Sequence, residues 1–102
     1  MITTERGHVR VIDLRRVSWV GAEGDYVRFH QSPQSVLLRK TMHAAERELT
    51  PRRFLRIHRS VLVNLDYIVE MRPVPGGDCR VLLKEGTVLT LSRTFRRRLS
   101  AP

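Results

Sequence analysis

The sequence contains one cysteine, Cys79, so the chain can neither close an internal disulfide nor supply the set of thiolates a structural zinc centre needs. Long apolar runs are missing as well. None approaches the roughly 20 residues that cross a bilayer, and Glu5, Arg6, His8 and Arg10 occupy the stretch where a signal peptide would need an apolar core. The expectation is a cytoplasmic chain with no membrane partner. Aromatic residues are few, with three Phe, two Tyr and one Trp. Acid is also in deficit: ten Asp and Glu face nineteen Lys and Arg, a net charge of +9. Lysine is almost absent, since Lys40 and Lys84 are the only two and the other seventeen cations are arginines.

What remains is 102 residues, 41% of them hydrophobic and 28% charged, enough for one folded domain and too short for two. Its field attracts polyanions, and the guanidinium fork matches phosphate and the guanine edge in a way an ammonium cannot. Nucleic acid is the leading class of partner.

The dominant hydrophobic period is two. In Tyr26 to His30, Val27 and Phe29 point one way while Tyr26, Arg28 and His30 point the other, as in a half-buried strand. Similar stretches run over Val9 to Ile12, Val17 to Val20, Val36 to Leu38, Phe54 to Ile57, Val61 to Val63, Tyr67 to Met71, Arg80 to Lys84 and Val88 to Leu91. Trp19, on the Val17 side of its stretch, is expected in the core. Gly24-Asp25, Ser32-Pro33, Pro75 to Asp78 and Glu85-Gly86 supply turns at short intervals, which favours antiparallel hairpins. Two segments depart from this period. Met42, Ala45 and Leu49 fall at helical spacing behind Thr41 as N-cap, and Phe95 with Leu99 does so behind Ser92. The expected fold is mainly β, of short antiparallel sheets with one short internal helix and a C-terminal helix. The expected organisation is a flexible segment over residues 1–8, a domain over 9–99 and a tail over 100–102.

The residue supply argues against catalysis. His58, Ser60 and Asp66 are the right types for a hydrolase, but no nucleophile elbow or oxyanion loop accompanies them. His8, His30, His43 and His58 stand in unlike contexts without paired-ligand spacing, and no Gly-rich phosphate loop is present. No metal and no cofactor is expected. Cys79 opens a predicted strand as a small packing residue.

The segment from Arg52 to Leu65 is the most informative. Arg52, Arg53, Arg56 and Arg59 alternate with Phe54, Leu55 and Ile57, so an anchored segment carries a cationic outer side. His58-Arg59-Ser60 is a polar break between two apolar runs, either a presented loop or a charged turn with Asn64 capping the next turn. An RNA-binding β module of the OB or ribosomal type is the alternative to a DNA reader, and a protein-interaction or membrane-surface domain is a third. Scarcity of aromatics counts against base stacking on the RNA-type module.

Arg56 to Asn64, preceded by Phe54 and followed by Ile68, resembles the signature of the LytTR DNA-binding domain, the output module of LytR/AlgR/AgrA-type bacterial response regulators. Val17 to Val27, with Glu23 before Gly24-Asp25-Tyr26, resembles that family's early strand and turn. Leu38 to Leu49 with Phe54 resembles its strand and short helix, and Gly86 to Arg93 its last strand and helix start. The motifs occur in order across nearly the whole chain.

The resemblance implies short antiparallel sheets stacked in an elongated arrangement, with loops inserted into successive major grooves of duplex DNA. It implies a transcription regulator acting by occupancy and bending, without enzymatic activity. In that family the domain usually follows a receiver domain in a longer two-component regulator, and the site would be a repeated half-site bound by a possible homodimer. Base contacts are implied at Asp25, Tyr26, Arg59 and Arg93, with His58, Ser60 and Asn64 serving backbone contact or loop geometry. Arg59 can offer a fork to guanine O6 and N7, and Asp25 can accept from cytosine N4 but repels phosphate. Arg93 stands at a helix start, where free amides would favour a phosphate. Arg52, Arg53, Arg56, Arg96 and Arg97 are the candidates for holding the DNA backbone or the loops.

Overall fold

The computed structural model describes residues 1–100. Strands β1 (Ile2–Glu5) and β2 (His8–Val11) form an N-terminal hairpin. Then come β3 (Trp19–Glu23), β4 (Tyr26–Gln31), β5 (Gln34–Arg39), helix α1 (Met42–Leu49), β6 (Phe54–His58) and β7 (Val61–Asn64). Strands β8 (Ile68–Pro73), β9 (Cys79–Leu83) and β10 (Val88–Leu91) and helix α2 (Arg93–Ser100) complete the chain. All pairing is antiparallel, in a five-stranded sheet ordered β5-β4-β3-β7-β6 and a three-stranded sheet ordered β10-β9-β8.

Alternation along the five-stranded sheet feeds two separate cores. Val20, Val27, Phe29, Leu38, Phe54 and Leu62 meet Ala45 and Leu49 of α1 on one face, with Ile12, Leu14 and Val17 closing the side. Ile57 and Val63 turn to the other face, where Cys79, Val81, Leu83, Leu89 and Leu91 of the small sheet cover them and Phe95 of α2 packs alongside. The molecule is accordingly elongated, 46 × 25 × 25 Å. Helix α1 starts as its sequence dictates, Thr41 Oγ1 accepting from the Ala44 amide at 3.0 Å. Leucine, alanine and methionine on one side of it face the first core.

Residues 2–11 form an element not expected from the sequence: Ile2–Glu5 pairs with His8–Val11 across a turn in which Arg6 and Gly7 both have positive φ. Two expectations change. Val9 and Val11, read as alternating positions of a half-buried strand, are 66% and 76% exposed, because they belong to a two-stranded hairpin outside both buried clusters, and only Ile12 beyond it is buried. Trp19 is half-buried, packed beside the second core and stacked on His30 with ring centroids 3.8 Å apart. Its parity with Val17 does not carry over, since Val17 is the cap that ends a 3-10 turn (Leu14–Arg16) and lies outside the strand, which begins only at Trp19. Of the expected tail, Ser100 ends α2, and residues 101 and 102 lie outside the described residues.

Candidate nucleic-acid interface

Strand register brings three of the singled-out segments to one end of the five-stranded sheet. Glu23 pairs with Tyr26 around the Gly24-Asp25 turn, and Tyr26 pairs with Arg39 at the end of β5. Across the sheet Gly21 pairs with Val61, and the Ala22 amide donates to the Ser60 carbonyl at 2.9 Å, which sets the His58-Arg59-Ser60 turn beside the first. The Ser92 amide donates to the Ile57 carbonyl at 2.8 Å, so α2 begins next to that same turn. Asp25, Arg59 and Arg93 thus form a row along the strand ends.

Arg52 and Arg53 do not join them. They precede β6 while His58 ends it, so the strand's length, about 3.3 Å per residue, separates them from Arg59. Arg53 is also engaged: its Nη2 lies 2.8 Å from Asp66, and its carbonyl accepts from the Leu65 amide.

The 58–60 turn is held from behind. His58 Nδ1 accepts from the Ser60 amide at 3.1 Å and lies 2.9 Å from Ser60 Oγ. A lone pair at Nδ1 for that amide puts the proton of the neutral ring on Nε2. Arg56 donates from Nε to the His58 carbonyl at 2.8 Å, from Nη2 to the Arg59 carbonyl, and from Nη1 to Glu46 Oε1 at 2.9 Å. The Arg56 side chain is only 15% exposed, and its fork is engaged by the loop carbonyls and Glu46. Asn64 is buried too. Its Oδ1 accepts from the Asp66 amide, and its Nδ2 donates to the Val17 carbonyl, both at 2.9 Å.

The start of α2 corrects one expectation. Two of its first amides are already taken, because the Arg93 N–H donates to Asp78 Oδ1 at 2.7 Å and the Phe95 N–H to Ser92 Oγ at 3.3 Å. A carboxylate already occupies the positive end of the helix. The Arg93 side chain instead leans its methylenes on Gly77, where a Cβ would come within 2.9 Å of Arg93 Cδ. Arg96 Nη1 donates to the Gly77 carbonyl at 3.2 Å.

Among the described residues the guanidinium groups of Arg39, Arg59, Arg93 and Arg97 make no hydrogen bond or ion pair, and all four are exposed. Arg39 was not singled out in the sequence. Its pairing with Tyr26 is what brings it to this end, lining an open cleft with Gly24, Asp25, Lys40, Thr41 and Met42. Acid nearby is largely neutralised. Glu23 is bonded by Arg28, which holds its carboxyl below the ordinary range, and Lys40 pairs with Glu48 at 2.7 Å. Asp25, exposed in its turn, is the acid left without a partner in this row. The described residues hold no cluster of His, Cys, Asp and Glu able to bind a metal, and no helix among them is long and apolar enough to cross a membrane.

A row of unpaired arginines on braced strand ends suits an extended anion. The family model of the LytTr DNA-binding domain matches residues 7–101. The chain belongs to that family. As a LytTr domain it is a DNA-binding module. It is 28% identical over 89 residues to the sensory transduction protein LytT of Bacillus subtilis strain 168, covering 87% of this chain and 37% of that protein. It is 35% identical over 92 residues to the positive alginate biosynthesis regulatory protein of Pseudomonas aeruginosa, covering 88% and 36%. The LytTr chain therefore spans little more than a third of the length of these relatives. Its fold matches the solved LytTr DNA-binding domain of a Bacillus cereus methyl-accepting/DNA response regulator, with a TM-score of 0.82 at 15% identity over 97% of this chain and 91% of that one.

Proposed function

We propose that this LytTr domain reads a specific duplex sequence with the turns at one end of its five-stranded sheet and regulates transcription by occupying and bending that site. Arg59 would present its fork to guanine O6 and N7. Arg93 would reach a base edge beside it, with Asp25 and Tyr26 at the neighbouring turn, and the turns would enter successive major grooves. Arg96 and Arg97 would hold phosphates on the exposed side of α2. The chemistry is binding only, with no metal, cofactor or catalytic group. The site would be a half-site that recurs as a repeat, bound by a pair of copies. In a longer cytoplasmic parent protein a receiver domain would supply the signal.

One observation carries the reading: the Arg59 guanidinium is exposed and unpaired while all three carbonyls of its loop, the Ser60 amide and the His58 and Ser60 side chains are bonded. Duplex DNA suits this surface better than a single strand, because Phe29 and Phe54 are buried and Trp19, Tyr26, Tyr67 and Phe95 are half-buried, leaving no aromatic platform for stacked bases.

Selection from a random duplex library at moderate salt should return a short motif. On that duplex Arg59→Ala should lose about 1 to 3 kcal/mol and relax preference at one base position, with much less effect on scrambled DNA. Equal loss on both duplexes would falsify base readout by Arg59, and tighter binding to single strands or RNA than to any selected duplex would favour the stacking alternative.

A further inference from the structure

Glu46 belongs to α1, outside every segment that carries a reading residue, yet its carboxylate joins two of them. Oε1 accepts from Arg56 Nη1 at 2.9 Å, and Oε2 lies 3.8 Å from Arg98 Nη2 on α2. Both guanidinium groups also rest on the ring of Phe95, Arg56 at 5.4 Å and Arg98 at 4.7 Å from its centroid. Arg56 in turn grips the carbonyls of His58 and Arg59. Three donors on one rigid fork are thereby aimed at three acceptors, an arrangement a lysine cannot reproduce. The Arg56 and Glu46 side chains are 15% and 23% exposed, so the pair is mostly out of water, where ion-pair geometry is held more firmly than at the surface.

We propose that Glu46 is a positioning residue for sequence readout. By orienting the Arg56 fork it fixes the backbone from which Arg59 projects. Through Arg98 and Phe95 it ties that loop to α2, so Arg59 and Arg93 are presented in one geometry. This rests on the reading of Arg59 and Arg93 as base contacts.

The sign of its charge makes the role testable. Glu46 is an anion near a surface meant for a polyanion, so if its charge alone mattered, neutralising it would tighten binding to any DNA. If it positions the loop, neutralisation must weaken the cognate duplex selectively.

The test uses Glu46→Gln, which keeps the shape, and Arg56→Lys, which keeps the charge but loses the fork; either variant carries it should the other fail to fold. Hydrogen exchange in the free protein is measured first. The amides of Ser60 and Ala22, one donating to His58 and the other to the Ser60 carbonyl, should exchange about tenfold faster, while those of β9 stay protected. Affinity should then fall about tenfold on the cognate duplex and hold or rise slightly on the scrambled one, within the range expected for losing one well-placed base contact. Unchanged loop exchange overturns the role of Glu46 whatever the DNA result, and so does an equal change on both duplexes. A loosened loop in a protein whose wild type shows no sequence preference overturns instead the base-reading assignment on which the proposal rests.

Discussion

His30 lies face to face with the only tryptophan, Trp19, the rings inclined by 7°. Burial, assisted by Arg28, lowers its pKa from the ordinary 6.5, while Glu23 and Glu85 pull weakly the other way. The folded protein therefore keeps this imidazole neutral where the unfolded chain takes up a proton. The corresponding stability is whole above pH 6.5 and is lost as the pH falls through the lowered folded value, because the unfolded state binds more protons there. His30→Gln should flatten part of the acid-side decline in melting temperature. It should also abolish a pH-dependent quenching of the Trp19 emission over the same interval. If wild type and variant melt in parallel from pH 7 to pH 5, and their emission titrates alike, His30 is not the group responsible.

Strands that look alike in sequence differ in what they hold. Leu62 lies between β3 and β6 and is fully buried, whereas Val11 belongs to a two-stranded hairpin and is 76% exposed. Leu62→Ala should cost about 2 to 5 kcal/mol in urea unfolding, and Val11→Thr less than about 0.5 kcal/mol. A cost of about 2 kcal/mol or more for Val11→Thr would mean that the hairpin packs on something in solution. The same contrast explains which elements were legible. The Thr41 cap and the α1 stripe are local chemistry and read directly. So did the turns at Gly24-Asp25 and Glu85-Gly86, and the ordered motifs identified the family. The hairpin escaped because Thr3 and Thr4 give no hydrophobic alternation, and Trp19 was misplaced because parity was carried from Val17, the cap of a 3-10 turn that lies before the strand starts. Asn64 showed its local half, the cap on Asp66; its bond to the Val17 carbonyl, 47 residues away, is a product of folding. Candidate residues were found by type, but their grouping was set by register. Arg52 and Arg59 are close in sequence and far apart on the sheet, Arg39 and Tyr26 are the reverse, and Glu46 gave no sign because its partners lie on β6 and α2.

At the scale of the molecule, a charge of +9 on a body 46 Å long raises the question of which cations meet the ligand. Each phosphate neutralised adds about one unit to the slope of log affinity against log salt. Arg97→Ala should lower that slope by roughly one on cognate and scrambled duplexes alike. Arg52→Ala, at the other end of the sheet, should leave it unchanged even though both substitutions remove the same formal charge. A salt series on the two variants decides this, and equal slopes would mean that DNA wraps both ends of the sheet.

Position 59 contributes its carbonyl to the architecture and keeps its side chain out of it. A carbonyl is common to all amino acids, so the loop is indifferent to which residue stands there. Descendants of this chain can exchange the side chain presented there in a single step, without disturbing either core or passing through an unfolded ancestor. If Arg59 reads a base as proposed, the same stable body could in this way be readdressed to new duplex sequences, with the vocabulary carried at one replaceable position and the grammar held by Arg56 and Glu46 behind it.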